Sequence, residues 1–96
     1  MPNKPSLLIL GAGGYGLAVA EAAELSGQWQ EIMFADDRWP EKQHVDDYNI
    51  VANIASLHQL DTMHLQAIVA VGNNALRLQW QQTVLGLGIE LTSVIH

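Results

Sequence analysis

The sequence predicts a single α/β domain of Rossmann type, with an open parallel sheet of about five strands in the order 3-2-1-4-5 and helices on both faces. Short apolar segments alternate with segments of helical character along the chain. The first apolar segment ends in the glycine-rich loop Gly11–Gly16, where such a fold turns from a strand into a helix. The 96 residues suit one domain, which we expect to span the whole chain.

The first part of the chain predicts two strands and a long helix. Ser6–Leu10 is a continuous apolar run between a proline and a glycine, typical of a parallel strand that is buried on both faces. Gly14–Ser26 has helical spacing and small residues that would let a helix lie close to a sheet. Gly27 stands where a helix C-cap belongs. Glu31–Ala35 then predicts the second strand.

The rest of the chain continues the alternation after a polar segment. Residues 38–49 contain a proline and show no periodicity, so we interpret them as a loop. The elements predicted after it are a weak strand Ile50–Ala52, a short helix Ile54–Leu60, a strong strand Gln66–Val71, a helix between the N-cap Asn73 and Gly88, and a final strand Ile89–Ile95. Alternating strands and helices indicate a parallel sheet with right-handed crossovers.

The glycine loop predicts a phosphate-binding site. Gly11, Gly13 and Gly16 satisfy the pattern G-x-G-x-x-G between a strand and a helix. The first glycine permits the tight turn, the second lets a phosphate approach the backbone, and the third lets the helix pack closely on the sheet. The helix N-terminus adds free N–H groups and a partial positive charge. The alternative is that the glycines form only a tight turn.

Two further candidate positions follow other strands. Asp36 lies 20 positions beyond Gly16, where an acid commonly accepts hydrogen bonds from a ribose or a base. With Asp37 it could instead form a solvated strand exit. Gly72 and Asn73 follow the fourth strand and should face the glycine loop across the crevice at which the strand order reverses. Asn73 could contact a ligand or serve only as a helix N-cap.

Composition excludes several classes of partner and chemistry. The net charge is −6 with four scattered basic residues, so we expect no nucleic-acid and no membrane-surface partner. The absence of cysteine excludes disulfides and thiolate chemistry, and the dispersed histidines predict no metal site. No arrangement of Ser, His and Asp predicts catalytic residues. Neither a signal peptide nor a membrane span is recognisable, so a cytoplasmic location is expected.

Four segments of the chain together resemble one family. LLILGAGGYG, FADD, IVAVGNNALR and SVIH are similar, in order and spacing, to the N-terminal domain of bacterial PglD-type sugar acyltransferases. These include sialic acid O-acetyltransferases and UDP-amino-sugar N-acetyltransferases. The resemblance implies a Rossmann-like domain that binds a nucleotide sugar, often a UDP-sugar. The residues it implies are Gly13, Gly14, Tyr15 and Gly16 along the diphosphate, Asp36 and Asp37 near the uracil or ribose, and Gly72 and Asn73 beside the sugar.

In that family a left-handed parallel β-helix follows this domain. By resemblance, the β-helix trimerises, binds acetyl-CoA and carries the catalytic histidine base. His96 resembles the histidine of the linker between the two domains, whereas Tyr15 stands where the family loop often has histidine. The resemblance therefore implies the substrate-binding half of an acetyltransferase. It would hold no tightly bound cofactor, and a β-helix domain or another subunit would be its partner.

The residues themselves leave two other functions open. The first is the NAD-binding part of an oxidoreductase, because Asp36 fits a ribose contact equally well. No hydride-transfer residues are recognisable for it. The second is an interaction module whose loop binds no nucleotide. Only 15% of the residues are charged, so some apolar surface should meet another domain or subunit.

Overall fold

The computed structural model describes residues 4–93 as a six-stranded sheet with helices against both faces. In chain order the elements are β1 (Ser6–Leu10), α1 (Gly14–Ser26), β2 (Ile32–Ala35), β3 (His44–Val45), β4 (Tyr48–Ala52), a 3-10 helix (Ile54–Gln59), β5 (Leu65–Val69), α2 (Asn74–Gly86) and β6 (Glu90–Leu91). The spatial order of the strands is β3-β4-β2-β1-β5-β6.

Five of these strands form the predicted parallel sheet. β1 pairs with β2 on one side and with β5 on the other, while β4 and β6 extend the sheet outwards in parallel. The predicted Rossmann-type α/β fold is therefore confirmed, and the predicted order 3-2-1-4-5 corresponds to β4-β2-β1-β5-β6. The strand count was incomplete, because β3 adds an antiparallel strand at the edge next to β4.

The interpretation of residues 38–49 as a loop was thus wrong in part. Val45 pairs with Tyr48 across a two-residue turn, in which Asp46 adopts a left-handed backbone with φ 53°. A two-residue strand is too short to show alternation, and this turn lacks the glycine that usually indicates a hairpin. A tertiary contact helps to hold the hairpin in place, since the ring of Tyr48 packs edge-on against Phe34 with centroids 5.7 Å apart.

Alternate residues of β1 supply two separate hydrophobic clusters. Leu7 and Ile9 pack on the face covered by the alanines of α1. Leu8 and Leu10 pack on the opposite face with Trp80 of α2 and with the 3-10 helix. These four side chains are fully buried, which explains why the strand is an apolar run after Ser6. Burial of each such side chain stabilises the fold by about 1.5–3 kcal/mol.

The predicted ends of two strands differ from the observed ones. β5 ends at Val69, two residues before the predicted end, and the N-cap of α2 follows four residues later at Asn73. The last predicted strand is seen as Glu90–Leu91, and residues 94–96, including the predicted linker histidine His96, lie outside the described residues. Among residues 4–93, no helix has the length and apolar character needed to cross a membrane.

Candidate functional site

The exits of three parallel strands meet at the carboxyl edge of the sheet. The N–H of Gly11, after β1, donates to the carbonyl of Ala35 at the end of β2 at 2.8 Å. The N–H of Ala70, after β5, donates to the carbonyl of Leu10 at 2.8 Å. β1 lies between β2 and β5, so the strand order reverses here. Open α/β sheets bind ligands outside this switch point.

Two glycines of the loop are required by close packing. Gly11 has φ +112°, and a Cβ on it would lie 2.7 Å from the carbonyl oxygen of Ala70. A Cβ on Gly16 would collide with the carbonyl oxygen of Gly11 and press on the ring of Phe34. These positions therefore allow the tight turn and the close approach of α1 to the sheet.

The other two glycines face open space. A Cβ on Gly13 or Gly14 would meet nothing within 4 Å, and both residues are exposed. Gly13 is the N-cap of α1, and no side chain caps this end of the helix. The first hydrogen bond of the helix runs from the N–H of Leu17 to the carbonyl oxygen of Gly13 at 3.0 Å. Within residues 4–93, the backbone N–H groups of Gly14, Tyr15 and Gly16 donate no hydrogen bond. A cluster of such N–H groups at a helix N-terminus attracts anions.

Asp36 lies beneath the loop and is fully hydrogen-bonded. Its Oδ2 accepts from the N–H of Ala12 at 2.8 Å. Its Oδ1 accepts from the backbone N–H of Arg38 at 2.9 Å and from Nε of the same residue at 2.8 Å. Nη2 of Arg38 lies 3.3 Å both from Oδ2 of Asp36 and from the carbonyl oxygen of Ala12. Asp36 thus accepts from the N–H of Ala12, and Arg38 donates to its carbonyl oxygen.

These contacts decide the charge state of the carboxyl. Burial raises the pKa of Asp36, but hydrogen bonds from the Arg38 side chain and from the N–H groups of Ala12 and Arg38 outweigh it. The pKa therefore falls from 3.8 to about 2, and the carboxylate is ionised at neutral pH. The effect is mutual, because the hydrogen bond to Asp36 and the charge of its carboxylate raise the pKa of Arg38 above its ordinary value.

Arg38 is the member of the site that sequence reasoning missed. It was included in a segment interpreted as a plain loop. The available signal was a basic residue two positions after the acid that ends β2. By contrast, the side chains of the predicted residues Tyr15 and Asp37 are exposed, that of Tyr15 to 61%.

The exit of β5 brings Gly72 and Asn73 to the same edge. Gly72 is exposed, and a Cβ on it would meet nothing within 4 Å. The Oδ1 of Asn73 accepts from the N–H of Leu76 at 2.8 Å, which makes Asn73 the N-cap of α2. The capping role proposed from the sequence is therefore observed, and a ligand contact by Asn73 stays a prediction.

The site is an open surface at the carboxyl edge of the sheet. The described part of the chain contains no enclosed pocket and no group of three or more His, Cys, Asp or Glu residues that could hold a metal ion. A ligand at the glycine loop would therefore rest on main-chain N–H groups and on a few side chains at the rim.

Comparison with protein families gives a direct match. The model of the PglD N-terminal domain matches residues 6–84, which includes the glycine loop and most of α2. The chain belongs to the PglD N-terminal domain family. The family resemblance stated from the sequence is therefore confirmed. No curated protein matches this chain.

Solved structures agree with this assignment. The acetyltransferase domain of PglB from Neisseria gonorrhoeae FA1090 is 35% identical to this PglD N-terminal domain with a TM-score of 0.87, and the match covers 97% of this chain and 45% of that one. The same domain in complex with acetyl coenzyme A is 34% identical with a TM-score of 0.80, covering 91% and 42%. This chain thus spans less than half the length of these relatives.

A more distant likeness concerns the fold alone. The UDP-D-quinovosamine 4-dehydrogenase from Vibrio fischeri is 21% identical to this chain with a TM-score of 0.70, and the match covers 92% of this chain and 75% of the dehydrogenase.

Proposed function

We propose that this PglD N-terminal domain binds the nucleotide sugar, a UDP-sugar, on which a sugar acetyltransferase acts. The observation that carries the proposal is the open half of the glycine loop. Gly13 and Gly14 leave free space in front of the N–H groups that begin α1. A diphosphate fits such a place, because it needs several donors and close access to the backbone.

The charge distribution supports recognition by the backbone. The chain carries a net charge of −6 and four basic residues, so it offers no broad positive surface to a polyanion. A diphosphate would therefore be held mainly by oriented N–H groups and the partial charge of α1. Arg38 contacts the Ala12 carbonyl on the side of the loop next to β2, before the free N–H groups of α1 begin, and is not counted among the groups that hold the diphosphate.

The proposed ligand lies across the three strand exits. The diphosphate follows the stretch 13–16, from Gly13 through Gly14 and Tyr15 to Gly16. The uridine lies on the side of β2, where Asp36 and Asp37 stand, and the sugar lies towards Gly72 and Asn73 after β5. This placement leaves the sugar at the exposed edge of the sheet beside Gly72 and Asn73, where a second domain can reach it.

Acetyl transfer would need the other part of the enzyme. The PglB acetyltransferase domain, whose structure includes acetyl coenzyme A, is more than twice as long as the segment matched here. We assign acetyl-CoA binding and the catalytic base to the part of the full-length protein that corresponds to its remainder, a β-helix in the family resemblance. The present domain presents the sugar to that part.

The decisive experiment is a calorimetric titration of this chain with UDP and, in parallel, with NAD. Saturable binding of UDP with no heat from NAD is expected. Binding of NAD without binding of UDP would favour the alternative function, the NAD-binding part of an oxidoreductase. If both titrations are silent at millimolar ligand, the loop is a structural turn and the proposed function is wrong.

A further inference from the structure

We propose that Arg38, and not Asp36, donates the hydrogen bonds that hold the nucleoside end of the ligand, while Asp36 acts as a positioning residue for Arg38 and for the glycine loop. The inference rests on the proposed function and adds the residue that contacts the uridine.

The first step is the saturation of Asp36. A carboxylate offers about four lone-pair positions. Four donors already fill them, namely the N–H of Ala12 and the backbone N–H, Nε and Nη2 of Arg38. The contact that an acid at this position makes to a ribose hydroxyl in dinucleotide-binding domains is therefore not available without breaking one of these bonds.

The second step is the donor capacity that remains on Arg38. Its guanidinium approaches the carboxylate through Nε and Nη2, so that Nη1 points to the opposite side. Within residues 4–93, Nη1 has no acceptor, and the Arg38 side chain is 54% exposed. A planar guanidinium fixed on one edge presents its other donors in a set direction, at little further entropic cost.

The third step is position. Arg38 follows β2, and its Nη2 reaches the carbonyl oxygen of Ala12 in the glycine loop at 3.3 Å. In this fold the exit of β2 is the side of the ribose, whereas the diphosphate lies at the N-terminus of the first helix. The free donors of Arg38 therefore face the ribose and base, whose hydroxyl and carbonyl oxygens are acceptors.

The test compares uridine with UDP by NMR chemical-shift titration of the full chain. Arg38→Gln removes the guanidinium. Lys4→Gln is the matched control, because Lys4 carries the same charge at the other end of β1, where it bonds the carbonyl of Gly27. We expect Arg38→Gln to weaken both uridine and UDP by about tenfold, the value of one hydrogen bond to a charged group. Lys4→Gln should leave both affinities unchanged.

Each outcome separates the two proposals. If Arg38→Gln weakens the binding of UDP but not of uridine, Arg38 contacts the diphosphate and the inference is overturned. Unchanged binding of both ligands by Arg38→Gln would also overturn it, and so would a wild-type chain that does not bind uridine. In these cases UDP binding by the wild type would still support the proposed function. A wild type that binds neither ligand would overturn both proposals. If Arg38→Gln does not fold, Arg38→Lys serves instead, and it should weaken both ligands in equal proportion.

Discussion

The backbone N–H of Ala12 donates a hydrogen bond of 2.8 Å to Oδ2 of Asp36, 24 residues further along the chain. This bond joins the glycine loop to the exit of β2. Because the guanidinium of Arg38 also reaches the Ala12 carbonyl, the peptide groups before Gly13 are held on both sides. The loop is thereby ordered before any ligand arrives, which reduces the entropic cost of binding.

The ionised Asp36 carboxylate should make stability depend on pH. Its pKa in the folded protein is about 2, below the ordinary 3.8, so the unfolded chain binds the proton more readily. The contribution of Asp36 to the free energy of unfolding is complete above about pH 4 and is lost as the pH falls towards 2. Urea unfolding of the wild type and Asp36→Asn between pH 5 and pH 2 should show a difference that shrinks with acidification.

A control for this experiment is the neighbouring residue. Asp37→Asn removes an exposed carboxylate that has no hydrogen bond in the described structure, and it should change stability little at neutral pH. A difference between the wild type and Asp36→Asn that stays constant over the whole pH range would contradict the assigned charge state.

Alanine should destabilise the fold at Gly16 but leave its stability nearly unchanged at Gly13. Gly16→Ala places a Cβ against the carbonyl oxygen of Gly11, and no side-chain movement can relieve this contact because Gly11 contributes backbone atoms. We expect a loss of about 3 kcal/mol or more in the free energy of unfolding, or failure to fold. Gly13→Ala meets open space with a β-region backbone, so its thermal midpoint should stay near that of the wild type. Equal effects of the two substitutions would show that the packing of the loop is misassigned.

Valine at Gly13 should separate binding from folding. The added side chain would occupy the place proposed for the diphosphate, and its Cβ would meet no protein atom within 4 Å. Gly13→Val is therefore expected to abolish UDP binding in calorimetry while it leaves the circular dichroism spectrum unchanged. Gly86→Val is the matched control, since Gly86 lies in the last turn of α2, away from the strand exits, and also faces open space. UDP binding by Gly13→Val at wild-type affinity would rule out the phosphate site.

Asn73 allows its capping role to be tested apart from ligand binding. Asn73→Ala removes the acceptor for the N–H of Leu76 and should cost about 1 kcal/mol of stability. Asn73→Asp retains a capping oxygen, so it should preserve stability. If Asn73 borders the sugar, Asn73→Asp should weaken the binding of UDP-N-acetylglucosamine relative to UDP. Parallel titrations measure this ratio, and an unchanged ratio would leave Asn73 as a cap alone.

Tyr48 should titrate at high pH. Burial raises its pKa, and the hydrogen bond to Glu24 with the charges of Glu24, Glu21 and Asp46 raises it further, to about 12. Because the neutral phenol is favoured in the folded state, stability should fall as the pH rises above 10. Absorbance titration of the phenolate band, compared with Tyr48→Phe, measures this group. Glu24→Gln should lower the midpoint, and an unchanged midpoint would exclude the contact between α1 and β4.

The sequence contained most of the information for the sheet because that information is local. Ser6–Leu10 and Gly14–Ser26 were predicted with the bounds that the structure shows. The hydrophobic period of a strand differs from that of a helix, so the two types of element can be told apart. Because crossovers between parallel strands are right-handed, few topologies of the sheet then remained. The glycine pattern likewise carries its geometry in five or six adjacent residues, as the close contacts at Gly11 and Gly16 show.

What only the tertiary structure decided depends on residues that are distant in sequence. The strand His44–Val45 has too few residues to carry a period, and its hairpin is held against Phe34 through the Tyr48 ring. Asp36 and Arg38 are neighbours in the chain, but their bonds to the Ala12 backbone required the exit of β1 to lie beside the exit of β2, 24 residues later. Such contacts form only after the sheet has brought its edge together, because a side chain's partners follow from three-dimensional position rather than from spacing along the chain.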